Sequence, residues 1–244
     1  MHLFLRIAHS ILYITYVIIT FFFAAGTGIL ISLFTRDKAE YRFRHSKVWF
    51  KYFVLPPSLN KIKVSGLENI PKDKPVIFVS NHGSYFDVPI YLAYLPGSFR
   101  FIVRKGLMRI PFVGRYIQLS GHMSIDRAGG TSAHKTLSKA KDLLKQGKSI
   151  IVFPEGTRTK DGTLGNFKRG SLFIAFETGA PVVPIAISGS YRVMPRGSLL
   201  ISPTKIKVNI GKPIHLGKIE DAKREHYDEA LAKVRNAIEK LIEK

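Results

Sequence analysis

The sequence predicts an α/β fold, a mostly parallel central sheet covered by helices, preceded by an N-terminal membrane-embedded helical hairpin. Three observations carry this reading. Short β-branched runs alternate with amphipathic stretches from Lys61 onward, several of the runs (Val76–Ser80, Ser149–Phe153, Val182–Ser188) are nearly continuously apolar rather than apolar at every second residue, and no Asp, Glu, Lys or Arg stands between Arg6 and Arg36. Continuous apolar strands separated by helices belong to parallel sheets buried on both faces.

The uncharged N-terminal stretch, Ile11 to Phe34, is long enough as a helix to cross a hydrocarbon layer of about 30 Å. Gly26-Thr27-Gly28 interrupts it, and in Tyr41 to Leu55 the bases Arg44, Lys47 and Lys51 fall at i, i+3 and i+7 beside Val48, Trp49, Tyr52 and Phe53. That is an interfacial amphipathic pattern. The preferred reading of residues 1–57 is a helix, a turn at Gly26–Gly28 and a second helix ending at Pro56-Pro57, embedded in one leaflet. Phe22, Phe23, Trp49, Arg44, Lys47 and Lys51 are its expected membrane contacts, and the alternative is one spanning anchor. A cleaved signal peptide fits less well, because the apolar stretch exceeds a usual hydrophobic region and its basic flank follows it. Six bases after the stretch against Arg6 before it put the remainder on the cytoplasmic face of the cell membrane.

Residues 58–244 read as one domain. Strands are expected at Lys61–Ser65, Val76–Ser80, Phe99–Val103, His122–Asp126, Ser149–Phe153, Val182–Ser188 and Lys205–Ile210, and helices at Val88–Tyr94, Ser132–Gln146, Ser171–Thr178 and Asp221–Glu243. The 38 Lys and Arg against 17 Asp and Glu give a net charge of +21, and the nearly neutral final 26 residues leave the excess on the body. Polyanions are the expected partners: nucleic acid, acidic headgroups, or phosphorylated metabolites and carriers. With no cysteine, a disulfide scaffold, a cysteine nucleophile and Cys-ligated zinc are excluded. The histidines form no ligand pair, so no metal and no cofactor is expected.

In parallel α/β sheets the chemistry sits beyond the carboxyl ends of strands. Three such ends are polar here: Asn81 to Asp87, Asp126-Arg127, and Pro154 to Arg158. His82 and Asp87 lie five residues apart, on separate faces of any continuous helix, and meet only if the chain turns at Gly83. The pair would then make a general base, with the carboxylate fixing the imidazole tautomer. On spacing alone, Ser84-x-x-Asp87 equally resembles a helix capping box. Arg127 and Arg158 suit bidentate phosphate binding, or simple solvated charge, and Glu155 to Arg158 suits a site loop or a tight turn with an internal ion pair.

Asn81-His82-Gly83-Ser84-Tyr85-Phe86-Asp87 resembles the His-x4-Asp motif of glycerolipid acyltransferases. Gly121 to Arg127, Phe153 to Arg158 and Val183 to Ser188 resemble the second, third and fourth motifs in order, and the whole looks most like the bacterial 1-acylglycerol-3-phosphate acyltransferases. The resemblance implies acyl transfer from an acyl carrier protein or coenzyme A thioester to the sn-2 hydroxyl of lysophosphatidic acid. It makes His82 the base, Asp87 its orienter, Arg127, Arg158 and Lys105 the phosphate grip, and Glu155, Gly156 and Thr157 further site residues. His122-Met123-Ser124 departs from the more apolar second motif. A glycerol-3-phosphate or other lysophospholipid acceptor is the enzymatic alternative, and a noncatalytic lipid-binding protein another. No groove-reading helix or aromatic platform is visible, so no nucleic-acid partner is expected.

Overall fold

A computed structural model describes residues 3–125, 131–219 and 222–242. The element order is α1 (Leu3–Ser32), α2 (Lys38–Trp49), β1 (Lys61–Ser65), β2 (Ile77–Ser80), α3 (Asp87–Tyr94), β3 (Phe99–Arg104), α4 (Val113–Leu119), β4 (Met123–Ile125), α5 (Thr131–Lys145), β5 (Ser149–Val152), α6 (Phe173–Thr178), β6 (Val182–Ser188), α7 (Ser190–Val193), β7 (Lys205–Ile210) and α8 (Arg224–Ile242). The expected strands all form, three with unchanged bounds. α4 and α7, which carry no strong periodicity, were not expected, and the first turn of the helix before β6 is a 3-10 turn, Arg169–Leu172.

Among the described residues seven strands form one sheet in the order β1-β7-β6-β2-β5-β3-β4, in which β6 and β7 pair antiparallel and the other neighbouring strands pair parallel. Alternate side chains of each central strand enter different cores. Phe78, Ile151, Val183, Ile185 and Ile187 pack on one face, while Ile77, Val79, Ile150, Val152, Val182 and Ala186 pack with α5, α6 and α8 on the other. At the central strands both faces are buried, which is why β2, β5 and β6 read as continuous apolar runs, whereas the outer β1 and β7 alternate exposed with covered positions.

The first of these cores is closed by the N-terminal helices: Tyr13, Ala24, Phe43, Trp49, Val54 and Leu55 belong to it. On α1 the buried positions Ser10, Tyr13, Ala24, Gly28 and Ser32, with the partly buried Ile14, Val17 and Phe21 between them, recur at helical spacing, so one stripe of the helix lies along the body. Polar contacts fasten it: the Tyr13 hydroxyl donates to Val54 O at 2.9 Å, and the Ile201 N–H donates to Ser10 Oγ at 2.8 Å. The opposite face exposes Phe4, Leu12, Ile19, Phe22 and Phe23 among other apolar side chains.

The hairpin differs from expectation in where it turns. α1 runs unbroken through Gly26-Thr27-Gly28, and the reversal comes at residues 33–37, where Asp37 caps α2 by accepting the Glu40 N–H at 2.9 Å. Gly28 serves contact instead, since a Cβ there would lie 3.1 Å from His45 Nδ1 and 3.2 Å from the Tyr116 hydroxyl. α2 continues into a π-helical turn, Phe50–Val54, and then, at the two prolines where the sequence predicts its end, into a 3-10 turn, Pro56–Ser58.

Two of the expected membrane contacts turn inward. Trp49 is 8% exposed and packs against Phe21 and Phe50. The Lys47 ammonium donates to Leu95 O and Gly97 O beside the rings of Phe43 and Phe99, and burial lowers its pKa to about 8. Phe22, Phe23, Arg44 and Lys51 stay outward, Arg44 paired to Glu40 within α2.

The ion pair between Glu40 and Arg100, at 3.0 Å, joins α2 to β3. The Arg100 side chain is 1% exposed, lies 4.3 Å from the Phe43 ring centre and also donates to Ser98 Oγ and Phe99 O. Burial pushes the Glu40 carboxyl up, but hydrogen bonds from Ser98, Arg44 and Arg100 outweigh it and hold the pKa below its ordinary 4.5. Removing the carboxylate leaves a buried cation short of its counter-charge. Glu40→Ala is expected to lose about 3 kcal/mol in chemical denaturation, the low end for a broken buried pair because Ser98 and Phe99 remain as acceptors. The stability from a lowered carboxyl is complete above its ordinary pKa and vanishes as pH falls through the lowered one. The gap between the wild type and Glu40→Gln in denaturation midpoint should therefore close on acidification below that ordinary value.

Candidate active site

β2 lies between β5 and β6, all three parallel, and β3 and β4 follow beyond β5, so the carboxyl ends of β2, β5, β3 and β4 open at one edge of the sheet. The polar loops singled out in the sequence leave from these ends. At the end of β2, Asn81 stands in for a strand residue: its amide donates to Ile187 O at 2.9 Å and accepts the Ile187 N–H at 2.8 Å. Below it Ser80 and the buried Tyr91 hydroxyl share a short hydrogen bond that ties α3 to β2. Burial pushes the Tyr91 phenol well above its ordinary pKa, so it is neutral there.

After Asn81 the chain turns, and Asp87 begins α3 fully buried. Its Oδ2 accepts from His82 Nδ1 at 2.7 Å, from the Gly83 N–H at 2.8 Å and from the Ser84 N–H at 3.0 Å. Both readings of the motif are thus true of one atom, which caps the turn and orients the imidazole. Ser84 does not complete a capping box, because its hydroxyl donates to Met194 O. A Cβ on Gly83 would sit 2.7 Å from Ser190 Oγ and 3.2 Å from Tyr191 N, so the turn also needs glycine to pass α7. An ionised carboxylate only accepts, so Nδ1 carries the proton and Nε2 is the basic nitrogen.

The β5 loop supports the same histidine from the other side. The imidazole stacks on Phe153, ring centres 4.1 Å apart at 19°, and Phe153 in turn stacks on Tyr91 and Phe101. Glu155, 6% exposed, accepts the His82 N–H at 3.0 Å and the Gly165 N–H at 2.9 Å. Burial pushes its carboxyl above the ordinary range against the pull of those two donors. The internal Glu155–Arg158 ion pair that a tight turn suggested is absent among the described contacts, since Glu155 is spent on backbone amides. Gly156 takes φ +66° and its carbonyl accepts from Arg104 Nη2 at 2.7 Å, which joins the ends of β3 and β5. Thr157 is half-buried.

Arg158 lies 3.6 Å from the centre of the Tyr85 ring, a stacked guanidinium beside the His82 turn. Its Nη1 is buried with no hydrogen-bond partner among the described residues. Lys105 is exposed at the start of a 3-10 turn, Lys105–Arg109, that leaves β3 directly after Arg104. Arg127 lies outside the described residues; β4 leads toward it with Ile125 paired to Arg104. His122, the departure in the second motif, is buried and accepts the Phe101 N–H through Nδ1 at 3.1 Å. Burial, with Arg100 and Lys139 nearby, lowers its pKa to about 3, so it is a neutral structural acceptor.

Thus His82, Asp87, Glu155, Gly156 and Arg158 come together, with Lys105 at the adjacent strand end. Sequence reasoning passed over Asn81, Tyr85, Phe153, Arg104 and Gly165. The first three stand inside motifs already noted, but their work is done against partners distant in the chain. Arg104 and Gly165 carry no local signal.

Residues 61–188 match the acyltransferase family. The chloroplastic 1-acyl-sn-glycerol-3-phosphate acyltransferase of Arabidopsis thaliana is 39% identical over 188 residues, 75% of this chain and 52% of that protein. The 1-acyl-sn-glycerol-3-phosphate acyltransferase of Pseudomonas aeruginosa is 36% identical over 160 residues, 64% of this chain and 60% of that protein. The chain spans about half the length of the plant relatives it matches. The crystal structure of the 1-acyl-sn-glycerophosphate acyltransferase PlsC from Thermotoga maritima superposes with a TM-score of 0.79 at 30% identity, covering 97% of this chain and 95% of that one. The family match covers the loops that carry His82, Asp87, Glu155 and Arg158, and the structural likeness extends over the N-terminal helices as well: the chain belongs to the acyltransferase family.

Proposed function

We propose that the chain is a 1-acyl-sn-glycerol-3-phosphate O-acyltransferase, which moves a fatty acyl group from an acyl carrier protein or coenzyme A thioester to the sn-2 hydroxyl of lysophosphatidic acid and forms phosphatidic acid. The observation that carries it is the 2.7 Å contact of His82 Nδ1 with a fully buried Asp87. With Nδ1 committed, Nε2 takes the hydroxyl proton while the oxygen attacks the thioester carbonyl. As the tetrahedral adduct collapses the C–S bond breaks, and the imidazolium returns its proton to the departing thiolate. Asp87 stabilises the imidazolium between these steps.

The oxyanion is held by donors other than the amides of residues 82–84, because Asp87 and Glu155 already occupy all three. For the acceptor phosphate the reading assigns Arg158, Lys105 and Arg127. Its support is Arg158 Nη1, a buried donor with no partner among the described residues, on a guanidinium 3.6 Å from the Tyr85 ring centre. Residues 1–57 act as the membrane-binding segment and 58–244 as the catalytic domain, on the cytoplasmic face. α1 supports insertion in one leaflet: at about 1.5 Å per residue it exceeds the hydrocarbon thickness, yet one stripe lies against the body along its length.

The test is thiol release from palmitoyl thioesters of both carriers with lysophosphatidic acid or glycerol-3-phosphate as acceptor. Release that requires lysophosphatidic acid and His82 supports the reading. Release only with glycerol-3-phosphate overturns the acceptor, and release indifferent to His82→Ala overturns the mechanism.

His82→Ala is expected to lower kcat by at least roughly 10²–10⁴-fold, the share of general-base catalysis. Asp87→Asn keeps an oxygen for the amides of Gly83 and Ser84 but not the charge, so kcat should fall while the thermal unfolding midpoint moves little. Arg158→Ala should raise KM for lysophosphatidic acid about tenfold or more, the scale of a charge-assisted bond worth about 1.5–3 kcal/mol. Tyr85→Ala should raise it less, and Tyr85→Phe should restore it, since the ring face is what Arg158 uses.

A further inference from the structure

The turn after β3 presents apolar side chains to solvent in a conformation that costs energy to hold. Phe112 is 69% exposed and Ile110 46% exposed. Phe112 sits at φ +60° and ψ −54°, the centre of a γ-turn closed by the Val113 N–H on Pro111 O at 2.6 Å. This is a rare and strained conformation for a residue with a side chain. The turn is held rigidly: the Gly114 N–H donates to Ile110 O at 2.8 Å, and a Cβ on Gly114 would lie 2.2 Å from Met108 O.

Two further observations say what covers this tip. The Phe112 ring meets Phe22 edge-on, centres 5.5 Å apart, and Phe22 and Phe23 are themselves 51% and 75% exposed on the outer face of α1. The tip therefore continues the apolar face of the N-terminal helix. The exposed bases Lys105, Arg109 and Arg115 flank it along the chain, with no acid anywhere from residue 105 to residue 119. An apolar wedge with basic shoulders matches the boundary between acyl chains and anionic headgroups.

We propose that the catalytic body itself carries a second membrane contact, the 110–113 turn, which inserts Ile110 and Phe112 into the anionic lipid surface that receives α1. The proposal rests on the reading of α1 as lipid-embedded. Its consequence is positional. The turn is a few residues from Lys105 and Arg104, and Arg104 is bonded to the loop of Arg158, so a bilayer gripped at residues 110–113 brings its headgroups to the strand ends where an acceptor phosphate would be held.

The chain has no cysteine, so single labels are clean. Phe112→Cys and, separately, Phe23→Cys are labelled with a nitroxide, and the full-length protein is mixed with phosphatidylcholine vesicles with and without phosphatidylglycerol. Accessibility to oxygen and to a water-soluble nickel chelate is read by electron paramagnetic resonance. Both labels are expected to gain oxygen and lose nickel accessibility on anionic vesicles. If the label at 112 stays open to nickel while that at 23 enters lipid, this inference fails and the reading of α1 stands. If both stay in water, the reading of α1 fails with it. Shielding at 112 by acyl carrier protein but not by vesicles would make the turn a protein-docking site and overturn the proposal. As a second variant, Phe112→Gly suits the positive φ and removes the ring; its partition onto anionic vesicles should fall about tenfold, and unchanged partition would also overturn the proposal.

Discussion

One buried carboxylate oxygen organises the site. Asp87 Oδ2 receives an imidazole N–H and two consecutive backbone N–H groups, and these three bonds set the turn after β2, the start of α3 and the plane of the His82 ring together. A buried charge is tolerated only where donors replace its hydration, and here the donors come from the segment whose shape the charge must hold. Glu155 repeats the device from β5, holding His82 by its N–H and Gly165 across the loop. With Phe153 under the ring, the imidazole is fixed by an acceptor at Nδ1, an acceptor at its own backbone and an aromatic face. An imidazole restrained in this way would lose little further entropy if it acts as the proposed base.

The sheet makes this possible because β2 is central. Its neighbours β5 and β6 run parallel to it, so their loops leave on the same side, and each supplies something β2 cannot supply for itself. β5 brings Phe153, Glu155 and Arg158, and β6 receives the Asn81 amide that holds the last residue before the turn. Arg104 from β3 extends the arrangement to Gly156. The antiparallel β7 and the edge strand β1 lie on the far side and contribute packing.

The N-terminal helices are continuous with this framework. α1 and α2 close the core that lies under Phe78, Phe99 and Tyr91, and Arg100 reaches from β3 to Glu40 of α2. An apolar outer face joined to the sheet through a shared core and a buried ion pair has a definite orientation relative to the strand ends, because no flexible linker separates them. Placement of a lipid surface against α1 is then also placement of that surface relative to His82.

The primary structure by itself determined the strand set, the two-sided burial of the sheet, the three polar strand ends and the pairing of His82 with Asp87 as candidates, because each is written in local periodicity or in short ordered motifs. It also determined that an apolar segment of membrane-crossing length heads the chain. Tertiary structure alone decided the rest. Gly26-Thr27-Gly28 remains helical because packing on His45 and Tyr116 gives Gly28 a reason other than a turn. Lys47, on the helical stripe of Lys51, and Trp49 beside that stripe both turn inward, Lys47 onto Leu95 O and Gly97 O and Trp49 onto Phe21 of α1. Glu155, next to Arg158 in a motif that suggested an ion pair, bonds amides at residues 82 and 165, and Phe112 meets Phe22 across 90 positions of sequence. A pattern over a few residues records which faces are apolar and where chains turn; it holds no information on which distant segment arrives to satisfy a buried charge, and that is settled only when the sheet brings its strand ends together.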